Sequence, residues 1–403
     1  MYGFVSKINR SGVGIIRSLL DTDLYKLTMQ MAVVKKFPYA KVRYQFFNRG
    51  NTIFPEGFAE ALRKEIKKME ELALTKKEKN WLIKNCYFLD PTYLDFLYGY
   101  RYDSSEVGII QNGGELQISI EGYWHRTILW EVPLMAIISE LYFDMVKHNI
   151  YDVHWRSESN NKKDQLFRMN GVHYADMGTR RRFAYWNHDE VVSTFAGGVT
   201  GNRNFVGTSN VHLAMKHGVK AIGTQAHEWY MFHGAKYGYK MANHMAMEHW
   251  TDIFRGDLGI ALSDTFTTEA FFRSFDKKFA KLYDGVRHDS GDPFDFADNV
   301  IAHYRKLGID PKSKVIVFSD GLDPEKAVEI KDHCRGKIMV SFGIGTNFSN
   351  DIGAKALNMV IKITEAKPEG EDWHPCIKLS DSTGKYTGDL DEIKIAKHTL
   401  NIK

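Results

Sequence analysis

Short apolar runs alternate with longer amphipathic stretches through the second half of the chain. Each run has the length of a strand and ends in small or polar residues, and about eight such runs match a strand template. They are "ADMGTRR", "FVGTSN", "KAIGTQAHEW", "IALSDTF", "DGVRHDSGD", "VIVFSDG", "IMVSFGIGT" and "VIKITEA". The amphipathic stretches between them predict helices, so the strands are expected to be parallel. About eight strand–helix units favour a closed α/β barrel, in which the loops after the strands carry the chemistry.

Two of the predicted helices have clear boundaries in the sequence. Asp292 and Asp323 each precede a proline, which suits the first position of a helix, and Gly308 and Gly336 follow the last apolar position. The two aspartates are explained equally well as helix caps and as residues of a functional site.

The first 150 residues follow a different pattern. The stretch "FAEALRKEIKKMEEL" is amphipathic with a helical period, whereas "ELQISIEG" alternates like an antiparallel strand. We therefore predict an N-terminal α+β domain over residues 1–150 and an α/β barrel with the active site over 151–365. The tail, residues 366–403, is predicted to form strands that pack back on the N-terminal domain.

The composition of the 403-residue chain is that of an ordinary globular protein, with 43% hydrophobic and 26% charged residues. A formal charge of +4 is too close to balance to favour nucleic acid or an anionic membrane as a partner. The cysteines, Cys86, Cys334 and Cys376, are scattered, which fits a reducing compartment. The most apolar window, "TILWEVPLMAIISELYFDMV", contains acidic residues and a proline, so it predicts a buried helix. We expect a cytoplasmic protein.

Polar residues and glycines collect at the predicted strand ends. They include Arg180, Arg287, Asp289, Asp320, Gly343, Gly345 and Thr346. Glycines after a strand let backbone N–H groups approach a phosphate, and a threonine hydroxyl adds a donor. Carboxylates at neighbouring strand ends can hold sugar hydroxyls or Mg²⁺. Together these residues predict a site for a phosphorylated sugar, although a glycine-rich turn alone is more often only a turn.

Two other kinds of site are disfavoured. His227, His233, His244 and His249 are separated by six, eleven and five residues, which does not match the spacing of zinc ligands on a helix. The sequence contains no GxxxxGK[ST] motif, which excludes a Walker-type nucleotide site.

Motifs spread in order along nearly the whole chain resemble those of the nicotinate phosphoribosyltransferase family. They are "DTDLYKLTMQMA", "GTRRRF", "FVGTSNV", "IGTQAHEW", "VRHDSGDP", "FSDGLD", "FGIGTN" and "KLSDSTGK". The resemblance implies an irregular, TIM-like parallel α/β barrel with an N-terminal domain completed by C-terminal strands. It also implies the transfer of phosphoribose from phosphoribosyl pyrophosphate to nicotinate in NAD synthesis, coupled to ATP hydrolysis. Members of the family are usually dimers, so a homodimer is implied, although a monomer fits as well.

The resemblance also implies roles for individual residues. His227 corresponds to a histidine that is phosphorylated transiently, and a neutral imidazole is a competent nucleophile near neutral pH. Glu228 either orients His227 or bounds the site. Tyr25 is expected to stack on the nicotinate ring. In the family, a phenylalanine often packs on the opposite face of the nicotinate ring. This chain has Met177 at that position, which leaves the second stacking contact open.

The remaining roles concern charge. Arg180 and Arg287 are expected to face the phosphates and the nicotinate carboxylate, in an order that the sequence leaves open. Asp289 and Asp320 are expected to hold ribose or Mg²⁺. Catalysis is assigned to His227, Arg287 and Asp289. The 5′-phosphate is expected at the glycine-rich turn, which comprises Gly343, Gly345 and Thr346.

Ser209, in "FVGTSNV", bears on the choice of acceptor. Nicotinamide-using relatives have an aspartate at the matching position, whereas a serine hydroxyl can donate to a carboxylate. The sequence therefore favours nicotinate. The alternatives are a nicotinamide phosphoribosyltransferase, with the same fold, and a barrel metallohydrolase that uses the histidines.

Overall fold

The computed structural model describes residues 2–3, 13–146, 150–197, 202–382 and 385–402. Its helices are α1 Leu24–Lys36, α2 Phe58–Lys68, α3 Lys76–Asn85, α4 Pro91–Gly99, α5 Trp124–Thr127, α6 Glu131–Met145, α7 Val153–Asn170, α8 Tyr185–Ala196, α9 Val211–His217, α10 His227–Tyr237, α11 Tyr239–Phe254, α12 Thr268–Ser274, α13 Lys277–Leu282, α14 Pro293–Lys306, α15 Pro324–Cys334, α16 Thr346–Ser349 and α17 Leu390–Thr399. Its strands are β1 Tyr2–Gly3, β2 Lys41–Asn48, β3 Val107–Asn112, β4 Glu115–Tyr123, β5 Ile150–Tyr151, β6 Tyr174–Asp176, β7 Phe205–Thr208, β8 Ile260–Leu262, β9 Gly285–His288, β10 Val315–Phe318, β11 Met339–Ile344, β12 Met359–Lys367 and β13 His374–Pro375.

A six-stranded parallel sheet has the order β7-β6-β11-β10-β9-β8. Its strands come from six of the predicted apolar runs, and helices such as α14 and α15 connect neighbouring strands. Asp292 and Asp323 cap these two helices, because their carboxylates accept hydrogen bonds from backbone N–H groups of the first turn. Parallel strands and crossover helices are thus confirmed, and the two aspartates are explained as caps.

The predicted closed barrel is not confirmed, because the ladder has two edges, at β7 and β8. The run "KAIGTQ" lies between these edges but forms no strand with either. Ala221 makes a single bridge to Thr208 of β7, and on the other side the Thr224 side chain donates to the carbonyl of Ile260 at 3.2 Å. Gly223, with φ of 137°, interrupts the extended conformation between these contacts. The part of the chain described here therefore crosses the gap with one backbone bridge to β7 and side-chain contacts to the end of the sheet at β8, where a continuous ladder was expected.

The run "VIKITEA" was predicted to be a barrel strand, and this prediction is wrong. It forms β12, which pairs antiparallel with β2 in a second sheet of order β13-β12-β2-β4-β3. Burial alternates along β12, as in an antiparallel strand with one face on the core. The predicted boundary at residue 365 falls inside β12, and the division into three domains stays a prediction.

The helix α1 lies in the centre of the molecule. Every residue from Leu24 to Val33 is buried, including Lys26 and Gln30. The backbone N–H of Leu24 donates to the carbonyl of Ser209 at 2.8 Å, which fixes the start of α1 beside the end of β7. The most apolar window forms the buried helix α6, as predicted. None of the helices described is both long enough and apolar enough to span a bilayer.

Candidate active site

A cavity of about 690 Å³ lies between the parallel strands, the start of α1 and β12. The predicted site residues that line it are Tyr25, Arg180, Ser209, His227, Arg287, Asp289, Asp320 and Gly343. A smaller pocket of about 120 Å³ shares several of these residues and adds Gly345 and Thr346. The structure therefore brings all the predicted site residues to one place, while their individual roles stay predictions.

His227 is the first residue of α10 and lies between two hydrogen-bonding partners. Its Nδ1 is 3.0 Å from the Thr265 hydroxyl, and its Nε2 is 2.9 Å from the Asp289 carboxylate. A second carboxylate, that of Asp264, has Oδ1 3.8 Å from Nε2. Because carboxylates only accept, Nε2 carries the proton and Nδ1 keeps its lone pair, to which Thr265 donates. The fold thus holds the imidazole in one tautomer.

The imidazole is also held in its neutral form. Burial lowers the pKa of His227 to about 4, with Lys378 adding to the shift and Asp264 and Asp289 opposing it. A neutral imidazole at pH 7 retains the lone pair that a nucleophile needs.

This environment makes a prediction for the titration of His227. Its protonation in the folded protein should have a midpoint near pH 4, compared with an ordinary value of 6.5. Because the unfolded chain takes up this proton first, His227 should lower the free energy of unfolding as the pH falls from 6.5 towards 4. Imidazole NMR resonances, assigned by their loss in His227→Ala, test this. A midpoint near 6.5 would contradict it.

Arg287 and Asp289 form a fixed pair at the end of β9, beside Ser319, which follows β10. The Arg287 guanidinium donates to Ser319 Oγ at 2.7 Å and to Asp289 Oδ1 at 2.8 Å. Burial opposes ionisation of Asp289, but Arg287 and His227 hold the pKa of this carboxyl well below its ordinary value. Asp289 is therefore ionised at neutral pH. Asp320 lies further out, where Lys385 is 3.3 Å from its carboxylate.

Arg180 is less constrained than Arg287. Its nearest carboxylate oxygen is Oε1 of Glu131, 3.7 Å from Nη1, and its side chain is 35% exposed. It lines the cavity together with Tyr25. This arginine therefore keeps donors available for an anionic ligand.

Ser209 is buried, and its hydroxyl donates to Oδ1 of Asp23 at 2.7 Å. Burial raises the pKa of Asp23, while Arg180 opposes the shift. Sequence reasoning missed Asp23, although it stands in the same motif as Tyr25. The sequence predicted no carboxylate at this place, because serine stands where nicotinamide-using relatives have aspartate. The structure nevertheless places the Asp23 carboxylate beside Ser209.

The cavity also contains Arg181, which is part of the motif "GTRRRF", and Lys362, which sequence reasoning missed. Burial lowers the pKa of Lys362 to about 8, with Glu131 opposing the shift and Lys378 and Arg180 adding to it. Burial, with Arg180 and Arg49, lowers the pKa of Arg181 to about 10. Within the described ranges, neither Lys362 nor Arg181 has a carboxylate at ion-pair distance. Like charges held this close favour an anionic ligand.

Gly343, in β11, and Gly345, just after it, permit close packing against the loop that follows β6. A Cβ at Gly343 would lie 2.4 Å from the sulfur of Met177, and one at Gly345 would lie 3.3 Å from the Met177 carbonyl oxygen. Gly345 has φ of −99°, so it needs no left-handed conformation. The observed reason for these glycines is therefore contact with Met177, and phosphate binding stays a prediction.

The four histidines weighed as zinc ligands do not converge. His233 bonds His249 at 2.9 Å, and His244 packs against Phe279. His227 lies instead with Asp264 and Asp289. In the described ranges, this is the one group of potential metal ligands whose atoms lie within 4.8 Å of one another.

Two family models match the chain. The Nicotinate phosphoribosyltransferase (NAPRTase) family matches residues 172–403, and its N-terminal domain matches residues 20–139. A nicotinate phosphoribosyltransferase of Chromohalobacter salexigens is 56% identical over 96% of this chain and 98% of its own length. A nicotinate phosphoribosyltransferase of Desulforapulum autotrophicum is 51% identical over 94% of this chain and 97% of its own length. The crystal structure of the Porphyromonas gingivalis protein of that name superposes with a TM-score of 0.93 at 45% identity, covering 96% of this chain and 100% of its own. The chain therefore belongs to the nicotinate phosphoribosyltransferase family.

Proposed function

We propose that this protein transfers the phosphoribosyl group of phosphoribosyl pyrophosphate to nicotinate. The pyridine nitrogen forms a bond to C1 of ribose, the bond from C1 to the pyrophosphate oxygen breaks, and pyrophosphate leaves with the electron pair. One observation carries the proposal: a single cavity holds an aromatic–arginine pair, Tyr25 and Arg180, beside cations without carboxylate partners. Such a reaction depends on positioning and on charge stabilisation more than on a strong base.

The sequence left open whether Arg180 or Arg287 binds the nicotinate carboxylate, and we assign it to Arg180. Arg287 already donates to Ser319 and Asp289, whereas Arg180 lies near Tyr25 with its donors less occupied. Planar guanidinium groups pair well with carboxylates. Tyr25 then supplies one face for the pyridine ring and Met177, which lines the same cavity, packs from another side.

Phosphates are assigned to the cation-rich side of the cavity. Lys362 and Arg181 suit the pyrophosphate, because a bound anion would relieve the repulsion that each of them receives from Arg180. The small pocket with Gly345 and Thr346 suits the 5′-phosphate.

ATP hydrolysis is proposed to pass through His227. Its Nδ1 attacks the γ-phosphorus, the bond to the ADP oxygen breaks, and ADP leaves with the electron pair. Water later cleaves the nitrogen–phosphorus bond and restores the imidazole. The tautomer leaves the lone pair on Nδ1, which can attack once the Thr265 hydroxyl that donates to it turns away. Lys378, whose Nζ is 3.0 Å from Asp264, lies close enough to balance the added negative charge.

The residues present also fit Mg²⁺, which would neutralise phosphate charge when bound. Oδ1 of Asp264 is buried without a hydrogen-bond partner among the described residues, and Asp289 supplies a second carboxylate nearby. Carboxylate oxygens are the ligands that Mg²⁺ prefers. Asp264 and Asp289 would hold the ion, and the predicted ligand Asp320 would serve ribose.

Nicotinamide is a second candidate acceptor, favoured by the Asp23 carboxylate beside Ser209, which could accept from an amide. Product analysis decides between the two. Mass spectrometry should detect nicotinate mononucleotide and pyrophosphate in equal amounts from nicotinate and phosphoribosyl pyrophosphate. Absence of both products would contradict the proposed function.

The substitution Gly345→Val tests the phosphate pocket. The added side chain would press on the Met177 carbonyl, 3.3 Å from the new Cβ, and narrow the pocket. We expect the KM for phosphoribosyl pyrophosphate to rise about tenfold, equivalent to about 1.4 kcal/mol, with little change in Tm. Gly99→Val, where a Cβ meets open space, is the control. An unchanged KM in Gly345→Val would show that the glycine-rich run is only a turn.

The domain division, the homodimer and the cytoplasmic location stay predictions. Tyr25 lines the cavity of its own chain. Analytical ultracentrifugation of the active protein would settle the oligomeric state.

A further inference from the structure

Lys26 lies in the first turn of α1, beside Tyr25, and none of its side chain is exposed. Its Nζ forms an ion pair with Glu131 at 2.5 Å and a second, closer one with Glu228. The ammonium is also 5.7 Å from the centre of the Tyr25 ring. Lys26 therefore lies between Tyr25, on the side of the cavity proposed to bind the ring, and Glu228, which follows His227. Lys26 itself does not line the cavity.

The two carboxylates differ in how firmly they are held. Oε1 of Glu228 accepts from the Tyr44 hydroxyl and from the Trp124 indole, each at 2.9 Å. Oε1 of Glu131 instead faces Arg180, with 3.7 Å between Oε1 and Nη1. Glu228 is thus fixed on both oxygens, whereas Glu131 is shared between Lys26 and Arg180.

The distance between Glu131 and Arg180 is longer than that of a hydrogen-bonded ion pair, which is about 2.7–2.9 Å. Lys26 holds the other oxygen of Glu131 at a much shorter distance. A buried carboxylate that loses one cation is driven towards the cations that remain, and for Glu131 the nearer of these is Arg180, with Lys362 beyond ion-pair distance. Without Lys26, Glu131 would therefore close on Arg180 and occupy its donors.

We propose that Lys26 is a positioning residue for the acceptor: by holding Glu131, it leaves Arg180 free to bind the substrate carboxylate. This inference rests on the proposed function and deepens it. Burial opposes the charge of Lys26, but Glu131 and Glu228 raise its pKa above the ordinary value, so the ammonium persists at neutral pH. Lys26 acts through Glu131 and Arg180, since its side chain is inaccessible to a ligand.

Steady-state kinetics of Lys26→Met test this role. We expect the KM for nicotinate to rise at least about tenfold, while kcat and the KM for phosphoribosyl pyrophosphate change less than about threefold. Lys314→Met is the matched control, because Lys314 is another buried lysine, bonded to the carbonyl of Tyr283 at the far end of β10. It should leave the nicotinate KM unchanged. An equal rise in both variants would contradict the proposal.

The double variant Lys26→Met/Glu131→Gln separates positioning from support of the fold. A neutral glutamine competes weakly for Arg180, so the nicotinate KM should return to within about threefold of the wild-type value. A purely structural lysine would show no such recovery, and its absence would contradict the proposal.

If Lys26→Met does not fold, the single variant Glu131→Gln tests whether Glu131 competes with nicotinate for Arg180. Arg180 then loses its competing carboxylate, and we expect the nicotinate KM to fall about threefold. A rise would contradict the inference. Wild-type activity is measured first: a wild type that forms no nicotinate mononucleotide contradicts the proposed function, whereas an active wild type without these KM changes contradicts only the role of Lys26.

Discussion

Replacing His227 with alanine should abolish ATP hydrolysis and leave slow, ATP-independent phosphoribosyl transfer. The imidazole is neutral, and its Nε2 proton is held by Asp289, so the lone pair that would accept a phosphoryl group is on Nδ1, once the Thr265 hydroxyl that donates to it turns away. Alanine removes this acceptor but leaves Arg180 and Tyr25, which bind nicotinate in the proposed site. We expect the ATPase rate to fall at least about a thousandfold, the scale for loss of a nucleophile.

The control for this prediction is His244→Ala, because His244 packs against Phe279 outside the cavity. It should hydrolyse ATP at the wild-type rate. Acid-labile, base-stable phosphate on the wild-type protein, absent from His227→Ala, would identify the intermediate. ATP hydrolysis that continues in step with product formation in His227→Ala would show that His227 is not the acceptor.

Ser209→Asp should lower kcat/KM for nicotinate by at least about tenfold, equivalent to roughly 1.4 kcal/mol. Nicotinate is an anion at neutral pH. A carboxylate about 4 Å from its own carboxylate would repel it by about 4 kcal/mol at an effective dielectric constant of 20. The new aspartate would also meet Asp23, which accepts from Ser209 at 2.7 Å, so part of the loss would come from crowding of the two carboxylates. Two buried carboxylates at this distance cannot both ionise without further cost.

Ser209→Asn is the matched control, since it has nearly the size of aspartate without the charge. It should lose less nicotinate activity than Ser209→Asp, and Tm of both variants should be measured to separate binding from unfolding. The measurement is kcat/KM with nicotinate and with nicotinamide in all three proteins. Full nicotinate activity in Ser209→Asp would defeat the electrostatic argument.

The site was predictable where side chains follow parallel strands. Arg287, Asp289 and Asp320 stand at the ends of apolar runs, and such ends meet at one edge of a parallel sheet. Asp264 and Thr265 follow β8 in the same way. They were overlooked because their run ends without a glycine or a basic residue.

Contacts between distant segments were not predictable from local patterns. Asp23 meets Ser209 across 186 residues, and Lys26 meets Glu228 across 202. No local periodicity encodes such a pairing. Lys362 was missed for another reason. A pattern of alternation identifies β12 as a strand, but it does not show that residues of this strand line the cavity.

Six of the eight predicted strands form the parallel sheet, whereas the closure of the barrel was not confirmed and the tail that was predicted to form strands ends in a helix, α17. Strand–helix alternation identified the parallel strands, because each unit is encoded locally. Whether residues 221–225 form a ladder with β8 depends on Gly223 and on contacts between distant segments, which the run "KAIG" does not reveal. The run "VIKITEA" was counted with the parallel strands because it is short and apolar, whereas the alternating burial typical of an antiparallel strand is seen only in the structure.

The central claim is nicotinate phosphoribosyl transfer driven by ATP through His227. The most direct test follows initial rates of mononucleotide and ADP formation by the purified protein, with nicotinate or nicotinamide, in the presence and absence of ATP. We predict that nicotinate is strongly preferred, that ATP raises kcat/KM at least about tenfold, and that ADP forms in step with product. Equal use of nicotinamide, or product formation that ATP does not change, would contradict this account.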